Sequence, residues 1–220
     1  MLRSALLLLP LGLLGAMESM SAVKGAVGVA INGGTSTSVG IGPETKDWSD
    51  AVRAEIYFRN YYPISNDIQP FFEASLFADR QDYDGSDGSI SSDTYGLGLS
   101  FGGLLLPFGG RGEGPVSMGV MPYIRFAIGS SDVYVDDLEY RGDIVSADGD
   151  TARLDFGAGA DVRLGLGRHL EAAVGGGINL WHAADIDAVV TDQGTLVRVG
   201  ESVDFRGRDL FLRASFGFTF

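Results

Sequence analysis

Cysteine is absent from the 220 residues, which excludes disulfide frameworks, thiolate metal centres and a lipid-modified N-terminal cysteine. Histidine occurs twice, at His169 and His182. A basic excess is missing too: 16 Lys and Arg stand against 29 Asp and Glu, for a formal charge of −13. That balance argues against nucleic acid as a partner, because phosphate backbones are held by clustered cations. Beyond the N-terminus no apolar run approaches the roughly 20 residues that a membrane-crossing helix needs. Helical periodicity is likewise absent past the first two dozen residues.

What is present begins with a secretory pattern. Arg3 supplies a positive start, Ala5 to Leu14 a short apolar core interrupted by Pro10, and small residues follow at Gly15, Ala16, Ser19, Ser21 and Ala22. This order is that of a cleaved signal peptide over residues 1–22. The expected mature domain is 23–220, exported, with no transmembrane helix. It carries most of the 33 glycines, about twice ordinary usage.

Residues 23–220 alternate apolar and polar side chains with period two, the mark of extended strands with one apolar face. Val52, Ala54, Ile56 and Phe58 oppose Arg53, Glu55, Tyr57 and Arg59; Leu154 through Leu164 oppose Arg153, Asp155, Asp161 and Arg163. The last stretch, Leu210 to Phe220, puts Leu210, Leu212, Ala214, Phe216, Phe218 and Phe220 on one face. Eight such segments are expected, with short and long connectors in strict alternation. The long ones lie near 32–50, 80–93, 130–150 and 182–207. An up-and-down meander places short turns at one end and long loops at the other. The fold expected is therefore an all-β, antiparallel, transmembrane up-and-down barrel of eight strands, or ten if the outer hairpins join the wall.

An eight-stranded barrel is only just wide enough for side chains to fill it. Glycine and alanine alternating with long charged residues suit that crowded lumen, so the charged face is expected inward and the apolar face outward. The inward set is Arg53, Glu55, Arg59, Glu73, Arg125, Arg153, Asp155, Asp161, Arg163, Asp209 and Arg213, with Lys24, Asp79 and Glu171 sharing its parity. Charges of both signs in a narrow interior persist when paired. A salt-bridged plug is expected in preference to an open channel.

On these residues the chain resembles the small eight-stranded outer-membrane barrels of Gram-negative bacteria, the OmpA-transmembrane and OmpX kind. The most specific element is Leu212, Phe216, Phe218 and Phe220, which resembles the C-terminal signal read by the barrel assembly machinery. The resemblance implies a monomer in the cell outer membrane, in contact with outer-membrane lipid. Its loops would be open to an extracellular ligand and no periplasmic domain would follow Phe220. It further suggests protruding strands, with Ala184–Val190 and Thr195–Val203 flanking a turn at 191–194, and 133–135 and 138–140 extending the hairpin before them.

Motifs for other chemistry fall short. His182 is followed by Ala183, Ala184 and Asp185, without the nearby serine that nucleophilic catalysis on a barrel wall requires. Asp82-Tyr83-Asp84-Gly85-Ser86-Asp87-Gly88 has the alternating aspartates of half a calcium loop but no twelfth-position glutamate. It reads as a solvated acidic loop. Arg141-Gly142-Asp143 is an adhesion tripeptide short enough to arise by chance, and Gly109 to Gly114 lacks the Lys-Ser/Thr of a phosphate loop. No catalytic residue, cofactor or metal site is expected. The function expected is a non-enzymatic structural or surface-interacting barrel; the alternative is a narrow passive porin-like channel for water, ions or small solutes.

Overall fold

The structure, a computed structural model, describes residues 24–41, 44–48, 50–62, 64, 67–85, 88–106, 116–140, 143–192 and 195–220. The strands are β1 (Lys24–Ile41), β2 (Glu44–Trp48), β3 (Asp50–Tyr61), β4 (Ile68–Gly85), β5 (Gly88–Leu105), β6 (Val116–Tyr140), β7 (Asp143–Leu166), β8 (Leu170–Asp192) and β9 (Thr195–Thr219). β1 pairs antiparallel with β3, the strands from β3 to β9 pair antiparallel in chain order, and β1 also pairs with β9, from Ala26↔Thr219 to Ile41↔Phe205, closing the ring. The short β2 folds back on the last residues of β1, Thr37 to Ile41, and adds no stave of its own to the ring. The wall therefore has eight staves and not ten.

Alternation decides which way each stave faces. In β3, Arg53, Glu55, Tyr57 and Arg59 are buried, whereas Val52 and Ile56 are more than half exposed. In β9, Asp209, Arg213 and Ser215 are buried while Leu212, Phe216 and Phe218 face out. Val29, Leu76, Phe126, Leu154 and Val174 continue that outward apolar belt around the barrel. Such a belt far exceeds the isolated apolar patches that a water-soluble surface carries. Aromatic pairs reinforce it, Phe72 with Phe101 and Phe126 with Phe156, each at 5.1 Å between ring centroids.

Three connectors expected to be long loops are largely continuations of the ladder. β4 and β5 stay paired up to Gly85↔Gly88, β6 and β7 up to Tyr140↔Asp143, and β8 and β9 up to Asp192↔Thr195. Asp82 to Gly85 of the acidic stretch thus belong to a strand and not to a loop, Asp82 pairing with Ser91 and Asp84 with Ser89, while Ser86 and Asp87 lie outside the described residues. Patterning hid this because its sense reverses. Above the belt Ile90, Val133 and Val135 point inward and are buried, and Asp93, Asp132 and Asp150 point outward. Apolar-in and polar-out is the arrangement of a sheet standing in water. The strands run through 133–135, 138–140, 184–190 and 195–203, where extensions are expected from the sequence.

The opposite, short-turn end is tied by backbone bonds. Gly167, at φ +69°, makes the tight β7–β8 turn, a conformation costly for residues with a Cβ. The turn holds the end of β9: Thr219 N–H donates to His169 O at 2.8 Å, and its hydroxyl donates to Arg168 O at 2.9 Å. Phe220 and Gly25 exchange two backbone bonds. A Cβ on Gly25 would fall 2.6 Å from the Phe220 ring, so glycine is what lets the ring lie against β1.

Candidate functional site: a charge-filled lumen

All eleven residues named from sequence parity as the lumen network are buried, together with Asp79 and Glu171. Lys24, of the same parity, is exposed at the short-turn end of the lumen. The buried set comprises six arginines and seven carboxylates, so nearly all of the −13 resides elsewhere.

The lumen is built in layers. At the short-turn end Tyr61, Phe71, Leu104, Leu106 and Met121 form an apolar cluster. Above it Arg59 donates from Nε to Glu73 at 2.9 Å and from Nη1 to Glu171 at 3.0 Å, with a further Nη2 contact to Glu73. Tyr61 and Arg163 both donate to Glu171 Oε2, at 2.9 and 2.8 Å. In the next layer Arg213 spans Glu73 at 3.0 Å and Asp161 at 3.2 Å, and Arg125 reaches Glu55 beside Asn32. Higher still, Arg53 joins Asp79 to Asp155, and Arg153 donates from Nε to Asp155 at 2.8 Å and from Nη1 to Thr94 at 3.3 Å. Ser92, Thr94 and Ser131 then close the polar column through hydroxyl contacts.

Arginine suits these positions because its planar fork bridges two carboxylates and stacks on rings. Arg53 lies 4.3 Å from the Phe77 ring centre, Arg59 lies 4.7 Å from that of Tyr57, and Arg153 lies 4.7 Å from that of Trp181. Asp209 differs from its neighbours: it accepts from Trp181 Nε1 and Gln81 Nε2, both at 3.2 Å. The neutral partners Tyr57, Tyr61, Gln81, Asn32, Asn179 and Trp181 were not expected in the network, which was drawn from charged residues alone, although Tyr57 was placed on the inward face. Their inward parity was the available signal. Glycine does the spacing expected of it at Gly98, where a Cβ would meet Ser75 Oγ at 2.6 Å and Arg125 Nη2 at 3.0 Å.

A cavity of about 30 Å³ remains, lined by Asn32, Arg53, Asp79, Arg125, Asn179 and Asp209 among others. Asn32 Oδ1, Asn179 Oδ1 and Arg125 Nε have no hydrogen-bond partner among the described residues. The space is large enough for a buried water. Among the described residues no group of three or more His, Asp or Glu is placed to hold a metal ion.

The other named residues scatter. His169 sits in the β7–β8 turn, stacked on Phe218 at 5.5 Å, and His182 faces outward opposite Arg206. Leu212, Phe216, Phe218 and Phe220 share the outward face of β9, and Phe220 packs 6.2 Å from Phe58. Residues 1–23, Gly109 to Gly114, and Arg141-Gly142 of the tripeptide lie outside the described residues.

Just above the belt, Asp93, Asp132 and Asp150 are successive cross-strand neighbours on the outer face. A hydrogen bond shared with Asp150, then desolvation and the repulsion of Asp150, Asp93 and Asp148, push the Asp132 carboxyl above its ordinary value. A raised folded-state value stabilises the fold below the usual aspartate range, and that contribution is lost as pH rises through the folded value. Asp132→Asn is therefore expected to be more resistant to urea than the parent at neutral pH. The two should converge in acid; equal midpoints at both pH values would contradict the coupling.

No protein-family model matches the chain, and no curated protein matches it. Solved structures do. A major outer-membrane protein of Thermus thermophilus aligns at 14% identity and TM-score 0.41, over 90% of this chain and 100% of that one. The Ail attachment invasion locus protein of Yersinia pestis aligns at 11% and 0.40, over 89% and 99%. Neisserial surface protein A aligns at 11% and 0.38, over 89% and 96%. Likenesses this distant add nothing to the strand pairing on which the architecture rests. By that pairing, the chain is a closed, eight-stranded, antiparallel up-and-down β-barrel that resembles the small outer-membrane barrels of the OmpA-transmembrane and OmpX kind.

Proposed function

We propose that this protein is a non-enzymatic, monomeric barrel of the cell outer membrane, exported by a cleaved signal over residues 1–22. In this reading its lumen is plugged, and its role is structural or surface-interacting. The short-turn end faces the periplasm, and the tall acidic hairpins face outward, open to an extracellular ligand. Leu212, Phe216, Phe218 and Phe220 serve twice, as lipid-facing residues and as the signal for the barrel assembly machinery. The observation that carries the reading is the combination of an apolar belt outside and layered arginine–carboxylate bridges inside. An apolar exterior needs lipid, and a lumen crossed by paired charges offers solutes no continuous water column.

A second reading, the narrow passive channel, is favoured by the cavity and by the unpartnered atoms of Asn32, Arg125 and Asn179 beside it. In that case the bridges would exchange partners to admit water or small ions. Planar-bilayer recording of the purified protein separates the two. No discrete conductance steps are expected; reproducible steps that grow on Arg125→Ala would replace the plug with the channel.

A further inference from the structure

The layers of the lumen differ in how they treat water. The charged layers are polar throughout, and the cavity beside Asn32, Arg125 and Asn179 is large enough for a buried water. At the short-turn end, by contrast, Tyr61, Phe71, Leu104, Leu106, Met121 and Tyr123 form an apolar layer, each less than a tenth exposed. Arg163 of β7, tied to Glu171, borders it. The two leucines come from the end of β5, and Gly119 of β6 is their seat. A Cβ there would fall 2.5 Å from Leu104 Cδ1 and 3.0 Å from Leu106 Cδ2.

The same end of β5 is weakly joined to β6. Between Gly102↔Tyr123 and Leu105↔Val120 the ladder lapses, where β6 carries Pro122, a residue with no N–H to donate. Past the lapse one pair remains, Leu105↔Val120. The β4 side is continuous from Phe71↔Gly102 to Ile68↔Leu105, and Leu106 N–H donates to Asp67 O at 2.9 Å. The end of β5 is thus fixed to the β3–β4 turn and held to β6 by little backbone bonding. Gly102 and Gly103 lie at the lapse, and glycine inside a strand marks a place where the strand bends.

We infer that Leu104 and Leu106 form a hinged stopper that seals the lumen against water and protons at the short-turn mouth. The inference rests on the plugged reading above and assigns the seal to one layer of the plug. The charged layers offer protons a chain of carboxylates, hydroxyls and trapped water. An apolar constriction holds no water column and stops them. Swinging out with the β3–β4 turn about Gly103, the leucines leave Gly119 and open the mouth. Because the motion parts only the Leu105↔Val120 pair of the β5–β6 ladder, it is a local opening and not global unfolding.

The test reconstitutes the full mature chain in phosphatidylcholine vesicles holding a trapped pH indicator, with a potassium gradient and valinomycin driving protons inward. The parent is expected to leak no faster than protein-free vesicles. Leu104→Ser/Leu106→Ser should leak. Arg125→Ala, which loosens a charged layer but leaves the stopper seated, should stay tight. Heat-modifiable gel mobility confirms that each variant is folded. The hinge is read on Leu106→Cys, in a chain with no other cysteine, through its reaction with a charged, water-soluble maleimide in nanodiscs. Gly103→Val should slow that reaction about two- to five-fold, the scale of removing glycine's backbone freedom from the open form. A Cβ at Gly103 meets nothing within 4 Å, so the closed form accepts it. Once labelled, Leu106→Cys should leak in vesicles, which tests the seal even where the double serine variant does not fold. A tight double serine variant, or a labelled Leu106→Cys that stays tight, overturns the stopper, as does an equal leak in Arg125→Ala. A maleimide rate unchanged by Gly103→Val overturns the hinge. A leaking parent overturns the plugged reading itself, whereas a tight parent with tight variants removes the stopper alone.

Discussion

Replacing Arg59 with alanine is expected to destabilise the barrel by about 3–5 kcal/mol, the cost of leaving a buried ionic partner uncompensated. Arg59 is fully buried and is the hinge of the lower lumen. It donates to Glu73 and Glu171, which belong to β4 and β8, and also contacts Tyr61. Its removal strands two carboxylates at once, and neither can turn to water through the apolar cluster beneath. Arg213 and Arg163 still reach Glu73 and Glu171, so the loss falls short of two wholly unpaired charges. The control is Arg80→Ala. Arg80 also bridges two carboxylates, Asp82 and Asp93, but on the exposed outer face, where water screens the pair and its loss should leave the midpoint nearly unmoved. Urea titration of both variants in lipid vesicles checks the contrast. Equal midpoints would mean that the lumen charges are hydrated and not buried.

The second large effect lies on the opposite face. Leu76→Arg is expected to cost about 2–4 kcal/mol in a bilayer, the range for a cation at mid-depth on the lipid face of a barrel. Leu76 stands between Ile56 and Leu97 in the sheet and is 58% exposed. On a protein standing in water, arginine at so open a position would change stability by at most about 0.5 kcal/mol. The same substitution thus reads the surrounding medium. It is measured by unfolding in vesicles, with Asp82→Arg, above the belt, as the position where arginine should be tolerated.

Most of this architecture was legible in the sequence because period-two alternation states which residues share a face. The facing of Arg53 against Val52, or of Arg213 against Leu212, follows from parity alone once the lumen is recognised as the charged side. The pairings within the lumen were not legible. Arg59 finds Glu73 on the adjacent strand but Glu171 from across the barrel, and such contacts depend on shear and side-chain reach that no local pattern encodes. Asp209 shows the same limit: its parity matched the network, yet its partners are an indole and an amide. The tall hairpins were partly missed for a different reason. Where Ile90 turns inward the pattern changes sense, and alternation tuned to apolar-out strands reads as a loop. The extensions at 133–140 and 184–203 were found because β-branched residues persist there.

Accessibility along one strand tests the central claim, an apolar face in lipid around a filled lumen. The chain has no cysteine, so single cysteines at positions 72 to 79 of β4 can each carry a spin label without altering any native thiol. In bilayers, labels at 72, 74, 76 and 78 are expected to be open to dissolved oxygen and closed to a water-soluble nickel chelate. Labels at 73, 75, 77 and 79 should be closed to both. Even-numbered positions open to the nickel chelate would contradict lipid contact, and odd-numbered positions open to it would contradict the filled lumen.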